Sequence, residues 1–359
     1  MSVFICNRKP NAKYKLSLLV AILLAPGINA SAQTNITLYG RVDTGVRYST
    51  HQDIAGDNLA EITSGAASGS RWGLRGSEDL GDGMKAIFML ESGFEPDTGK
   101  LGQGGRLFGR QSWMGLSGKF GALTLGRQYS PAYNVEFANE PFGWANLYEP
   151  AFIYDNYTGG NRWDNSVMYA GKFGNVSTVL MAGLGEQAGN QRSNRNLGGS
   201  FGYAAGPLTV SAGYQEARDS TGMRAHKVWT AGGTYVLKPF KFFLSYLNHR
   251  SDTSVQKNDV LATGLSYAIA PQLDLIAAYY LDHQRDLDGK KSTFAGMLNY
   301  KLSVSTNVYV EADYSRINAG YASNVFDQYA FPSTKDAAGN VTSFVNNRSS
   351  VIVGVRHQF

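Results

Sequence analysis

The stretch "GSRWGLRGSEDLGDG" at residues 69–83 decides how the rest of the chain is read. Its first half alternates with the period of a strand, placing Trp72 and Leu74 on one face and Arg71 and Arg75 on the other. A soluble sheet would bury the Trp/Leu face and leave the arginines in bulk water. The same alternation recurs along most of the 359 residues, yet long apolar runs are few. Which side of the sheet is wet therefore settles the fold.

Working outward, period-two runs occupy 36–48, 208–214, 229–237, 273–281 and 308–314, among others. In each, one face is apolar (Leu208, Val210, Ala212, Tyr214) and the other small, polar or charged (Thr209, Ser211, Gly213, Gln215). Laying out every run predicts about sixteen strands. Short connections at "DLGDG" (79–83), "SGKFG" (117–121), "FGN" (173–175), "AGP" (205–207), "LKP" (237–239), "IAP" (269–271) and "LSVS" (302–305) carry turn residues. Between them fall longer loops, at about 50–68, 97–105, 131–161, 186–195, 217–225, 251–258, 284–291 and 317–348. Antiparallel strands with short turns at one end and long loops at the other predict an all-β, 16-stranded transmembrane barrel. Hydrocarbon demands an internal partner for every backbone polar group, which a closed barrel supplies. Trp72 and Leu74 then face lipid, and Arg71 and Arg75 line a wide aqueous interior.

Composition agrees. Forty-two Gly and 21 Tyr beside ten Pro suit strands of alternating small and aromatic residues. Residues 1–32 read as a cleaved signal peptide: Arg8, Lys9, Lys13 and Lys15 precede the apolar "LSLLVAILLA" (16–25), and Ala30-Ser31-Ala32 offers a cleavage site. A transmembrane anchor would need about 20 apolar residues. Four of the 33 Lys+Arg and none of the 28 Asp+Glu lie in that segment, leaving 29 against 28 in residues 33–359. The near-neutral balance removes the support for nucleic-acid binding. Cys6, the sole cysteine, lies in the same segment, so no disulfide, thiolate ligand or metal site is expected.

The residues 131–161 are rich in aromatics for a loop of that length, so they are expected to pack inside the barrel. Outward placement of Leu107 and Trp113 would turn Arg106 and Arg110 inward. Outward placement of Trp163, Val167, Tyr169 and Phe173 would turn Arg162, Asp164 and Lys172 inward. Arg41, Asp43 and Arg47 point inward from the first strand, and the loop acids Glu136, Glu140, Glu149 and Asp155 could face this cluster. Charges of both signs across a narrow gap orient solutes and set ion preference. The final "SVIVGVRHQF" puts Val351, Val353, Val355, His357 and Phe359 on one face of a last strand, which must pair with the first to close the barrel.

The runs "SGSRWGLRGSEDLGDG", "FGRQ" and "LTLGRQY" within 68–134, with "ITLYGRVDTGV" (36–46) and "VGVRHQF" (353–359), resemble the Gram-negative general porins, in particular those of β-proteobacteria. The resemblance implies a homotrimer in the outer membrane, in contact with lipid and lipopolysaccharide. It also implies a third extracellular loop folded into the pore as a constriction, and passive diffusion of small hydrophilic solutes and ions without a cofactor. Matching motifs carry wall arginines to Arg71, Arg110 and Arg162, and the loop tip "NEPFGW" (139–144) makes Glu140, with Glu136, the acidic side. Val355, His357 and Phe359 match the strand read by the barrel-assembly machinery. Arg41 departs from the family pattern, where an apolar residue is usual, and points to a more basic wall and a preference for anions. A substrate-specific channel of the same fold is the nearest alternative. A barrel enzyme fits poorly, because Ser245 and His249 share a strand face about 13 Å apart. "DLDG" (286–289) lacks the ligands of a calcium loop. A secreted β-adhesin would need neither the aromatic end nor the inequality of turns and loops.

Overall fold

The computed structural model describes residues 34–142, 157–323 and 331–359. The expected signal peptide lies outside them, as do Glu149 and Asp155. The strands are β1 Thr34–Ser49, β2 Leu59–Ser64, β3 Arg71–Gly81, β4 Met84–Gly93, β5 Gln111–Gly118 and β6 Gly121–Tyr129. They continue with β7 Arg162–Phe173, β8 Val176–Gly183, β9 Asn196–Ala205, β10 Leu208–Arg218, β11 Arg224–Leu237 and β12 Phe240–Arg250. The last are β13 Lys257–Ala270, β14 Leu273–Gln284, β15 Gly289–Lys301, β16 Thr306–Ile317, β17 Ser333–Lys335, β18 Val341–Phe344 and β19 Asn347–Gln358. All but β17 and β18, a small hairpin of their own, join one antiparallel sheet that closes on itself.

Closure is made by β1 and β19, paired from Arg41↔Gln358 to Ser49↔Ser350. The terminal residue extends the seam: Gly40 N–H donates to the Phe359 carbonyl and Phe359 N–H to that of Gly40 (3.0 and 3.1 Å). A Cβ at residue 40 would sit 2.2 Å from the Phe359 ring, so only glycine lets the last ring lie across the first strand.

Strands β2 and β3 are one stave, interrupted. Residues 59–64 pair with the upper half of β1 and residues 71–78 with its lower half. Counting them together gives sixteen staves. The loop expected at 50–68 is therefore shorter, and "GAASGS" (65–70) turns into the barrel, burying Ala66, Ala67, Ser68 and Ser70. The loop expected at 284–291 shrinks to a single turn of 3₁₀ helix, Arg285–Leu287, because β14 and β15 run longer than their apolar pattern. All seven short turns fall between consecutive strands as expected.

The inversion of polarity is borne out along the wall. Ile36, Leu38, Val46, Trp229, Leu244, Val310 and Val353 are exposed outside, while Asp43, Gln215, Thr230, Ser245 and Glu311 are buried inside. Arg71 and Arg75 stand opposite Arg41 and Thr37, and Trp72 and Leu74 opposite Gly40 and Leu38, which puts the arginines inside. Two tryptophans differ from expectation. Trp113 pairs with Met89 on the face of Gln111, while Met114 and Leu116 take the outer face. Trp163 is 1% exposed and lies inside against Gly198. A bulge at Asn165, with φ of 51°, shifts the phase between Trp163 and Val167, so residues four apart reach opposite faces.

Candidate functional site

Inside the wall lies a helix, Pro131–Asn139, whose start is marked by Ser130 as cap and Pro131 in the first turn. Its buried positions Ala132, Val135, Glu136 and Asn139 recur at helical spacing and face β10–β12. Gln215 on β10 holds both limbs of the loop: its Oε1 accepts from Ala132 N–H (2.9 Å) and its Nε2 donates to the Thr158 carbonyl (2.8 Å). Asn139 Nδ2 donates to Ser211 Oγ (2.8 Å). Beneath the helix the inner wall turns apolar, and Val228, Leu247 and Val260 pack with Ala132 and Tyr157. Further along, Phe142 joins Ala66 and Ala67 of the in-turned segment in a second cluster. Gly264 makes room there, since a Cβ would fall 2.2 Å from Pro141 Cγ.

Glu136 is fully buried and is directed at the wall, accepting from the hydroxyls of Thr230 and Ser245. It does not face the arginines, because helical spacing puts it on the docking side with Ala132. Burial pushes its carboxyl up to about 7, from an ordinary 4.5. Glu140 is buried too, accepts from the Tyr280 hydroxyl, and borders a cavity of about 330 Å³.

The arginines meet in a larger cavity of about 920 Å³. Arg41 and Arg71 are directly opposed across β1 and β3, and both donate to Ser68 Oγ (2.6 and 2.8 Å). Two like charges in register are unfavourable, and the shared hydroxyl fixes them side by side. Arg110 is buried, paired with Glu91 Oε1 at 2.8 Å, and donates to the Tyr129 hydroxyl (2.8 Å). Arg162 donates to the same hydroxyl (2.9 Å), with its guanidinium 4.4 Å from that ring's centroid. Glu91 also accepts from Tyr39 (3.0 Å).

Arg75 lies on the inner face over the Tyr39 ring, nearer the 79–83 turn and outside the cavity lining. Arg106 is not in the lining either; it pairs with Asp164, which Arg127 also binds. Arg356, Ser68 and Arg47 also line the cavity, with the acids Glu61, Glu91, Glu95 and Asp97 among their neighbours and Arg47 paired with Glu61. Arg356 escaped the sequence reading although alternation points to it: with Val355 and His357 flanking it on the outer side, residue 356 belongs inside. Val355 and Phe359 are exposed outside, and His357 Nδ1 lies 2.8 Å from Thr306 Oγ1. Among the described residues, Arg41, Arg71, Arg162 and Arg356 have no carboxylate within ion-pairing distance.

A sequence model of the family described as Gram-negative porin matches residues 17–320. An outer membrane porin protein of Bordetella pertussis is 34% identical over 292 residues, covering 77% of this chain and 70% of that protein. The outer membrane porin protein 32 of Delftia acidovorans is 28% identical, covering 96% and 100%. Among solved structures, the anion-selective porin from Comamonas acidovorans superposes with a TM-score of 0.76 at 27% identity, covering 91% and 100%. A closed barrel that is apolar outside and charged within, matched along most of its length, belongs to the Gram-negative porin family, whose members are outer-membrane channels for the passive diffusion of small hydrophilic solutes.

Proposed function

We propose that the channel prefers anions, that Arg41, Arg71, Arg110 and Arg162 form the basic side of its narrowest part, and that loop 131–161 forms the other. One observation carries this: among the described residues the lining arginines Arg41, Arg71, Arg162 and Arg356 have no carboxylate within ion-pairing distance, whereas Arg110 and Arg47 are paired with Glu91 and Glu61. Uncompensated guanidinium charge in a confined aqueous passage raises the local concentration of anions and lowers that of cations. The anion-selective character of the Comamonas porin is in keeping with it. Glu140 supplies an acid of the loop, Glu136 docks the loop, and Arg75 is the next basic step toward the periplasmic turn. The working assembly is a homotrimer in contact with outer-membrane lipid and lipopolysaccharide. It is exported by residues 1–32 and inserted by assembly machinery that reads Val355, His357 and Phe359.

The zero-current potential across a salt gradient tests the preference. The wild type is expected to give the sign of a chloride-preferring channel. Arg41→Ala/Arg71→Ala should move the potential toward zero by the largest step and Arg110→Ala by a smaller one, while Glu140→Ala should move it the other way. Salt near 1 M should shrink all of these, since the screening length falls to about 3 Å. A cation-preferring wild type, or a potential indifferent to all these substitutions, refutes the assignment.

A further inference from the structure

Arginines alone would admit any small anion, but the same cavity holds a second chemistry. Tyr129, Tyr133 and Phe137 form a ladder of stacked rings, with centroids 4.0 and 5.7 Å apart and planes inclined by 10° and 16°. Tyr133 and Phe137 are one helical turn apart. The docking face of the helix takes Ala132, Val135, Glu136 and Asn139, which leaves the two rings toward the cavity. Arg162 caps the first rung, over Tyr129. The last rung is open: Phe137 is 49% exposed, and among the described residues it stacks on Tyr133 alone.

An apolar ring left half-exposed inside the barrel runs against the alternation that sends such residues outward, and its stack on Tyr133 covers it only in part. Its position does. Phe137 borders both the larger and the smaller cavity, as does Arg356. On the far side, Lys241 stands with its ammonium 4.5 Å from the Phe243 ring centroid. A solute crossing between the cavities therefore passes an exposed aromatic ring, with Arg41 and Arg71 lining the larger cavity, Lys241 the smaller and Arg356 both, while the Glu140 carboxyl on the smaller cavity is held by the Tyr280 hydroxyl. Inorganic anions use only the cations, and neutral aromatic solutes use only the ring. A solute that carries a carboxylate on an aromatic ring uses both, because guanidinium binds carboxylate and ring stacks on ring.

We propose that this passage is a binding subsite for aromatic carboxylates, with Phe137 taking the ring and Arg356 the carboxylate. The proposal rests on the anion-preferring channel above and adds a solute class to it. The experiment is block of the chloride current through the purified protein in planar bilayers. Benzoate is compared with cyclohexanecarboxylate, which has the same charge and nearly the same bulk but no π face. Benzoate should give saturable block at a concentration about three- to tenfold lower than cyclohexanecarboxylate. Phe137→Leu should bring the two acids to a common concentration, whereas Arg356→Gln should weaken both in parallel and preserve their ratio. Equal block by the two acids in the wild type overturns the subsite, as does discrimination that survives Phe137→Leu. Failure of the channel reading looks different: no chloride current, or a cation-preferring potential, which removes this proposal with it.

Discussion

Leu244 and Ser245 are neighbours on β12 and meet different surroundings. Leu244 stands exposed on the outside, where hydrocarbon takes the place of a core, and Ser245 is buried within, bonded to Glu136. Along the wall, polarity follows parity, because each stave needs only its two neighbours for hydrogen bonds and lipid for its outer face. The helix Pro131–Asn139 obeys another rule. It is held by Gln215, Ser211, Thr230 and Ser245 over the apolar floor of Val228, Leu247 and Val260, all distant in sequence. A porin wall is thus repetitive and locally determined, while the helix held against its inner face is placed by specific long-range contacts. The two should fail independently.

The largest effect should come from breaking the wall. A charge at the midplane of the lipid face costs about 2–4 kcal/mol, so Leu244→Arg should lower the temperature at which the barrel unfolds in detergent and slow its assembly. Leu244→Ile, apolar and equal in volume, should do neither. Heat-modifiable migration on a gel reads both. An unfolding temperature unchanged by Leu244→Arg would mean that this face does not meet hydrocarbon.

Breaking the loop's hold instead should leave the barrel intact. Gln215→Ala removes the acceptor of Ala132 N–H and the bond that Gln215 donates to the Thr158 carbonyl, and a buried donor left without an acceptor costs about 1–3 kcal/mol. Open-channel noise and mean conductance should rise while heat-modifiability stays at the wild-type value. If the barrel melts earlier with no added noise, Gln215 supports the wall and not the loop.

The same division governs what could be read in advance. Sixteen staves, seven turns and the inward set of Arg41, Arg71 and Arg75 follow from parity and turn residues, which act over a few positions. Parity fails where a bulge inserts a residue: Asn165 flips Trp163 inward, and although Asn tolerates the left-handed conformation the bulge uses, one Asn near a strand end does not by itself announce it. The in-turned "GAASGS" looks like any small polar loop, and only its contacts with Arg41, Arg71 and Phe142 reveal it as part of the pore lining. The helix carried a legible start in Ser130-Pro131, but its nine residues hold too little amphipathic signal to stand out. Glu136 followed from that omission, since an acid in a loop is expected in water until the helix shows which side it is on.

The smallest effect tests Glu136 directly, through pH. Its carboxyl is pushed up to about 7 in the docked loop by burial, against an ordinary 4.5 when free. Below pH 4.5 both states are protonated and docking is at full strength. Between 4.5 and 7 the docked state holds more protons, so docking weakens as pH rises; above 7 both are ionised and the dependence ends. From pH 6 to pH 8 the docking equilibrium should fall by about tenfold, visible as rising open-channel noise. Glu136→Gln preserves the shape and the contacts with Thr230 and Ser245 but does not titrate, so its noise should be flat over the same range. If the variant keeps the wild-type slope, the titrating group is another one, and the loop is anchored by Gln215 and its apolar floor alone.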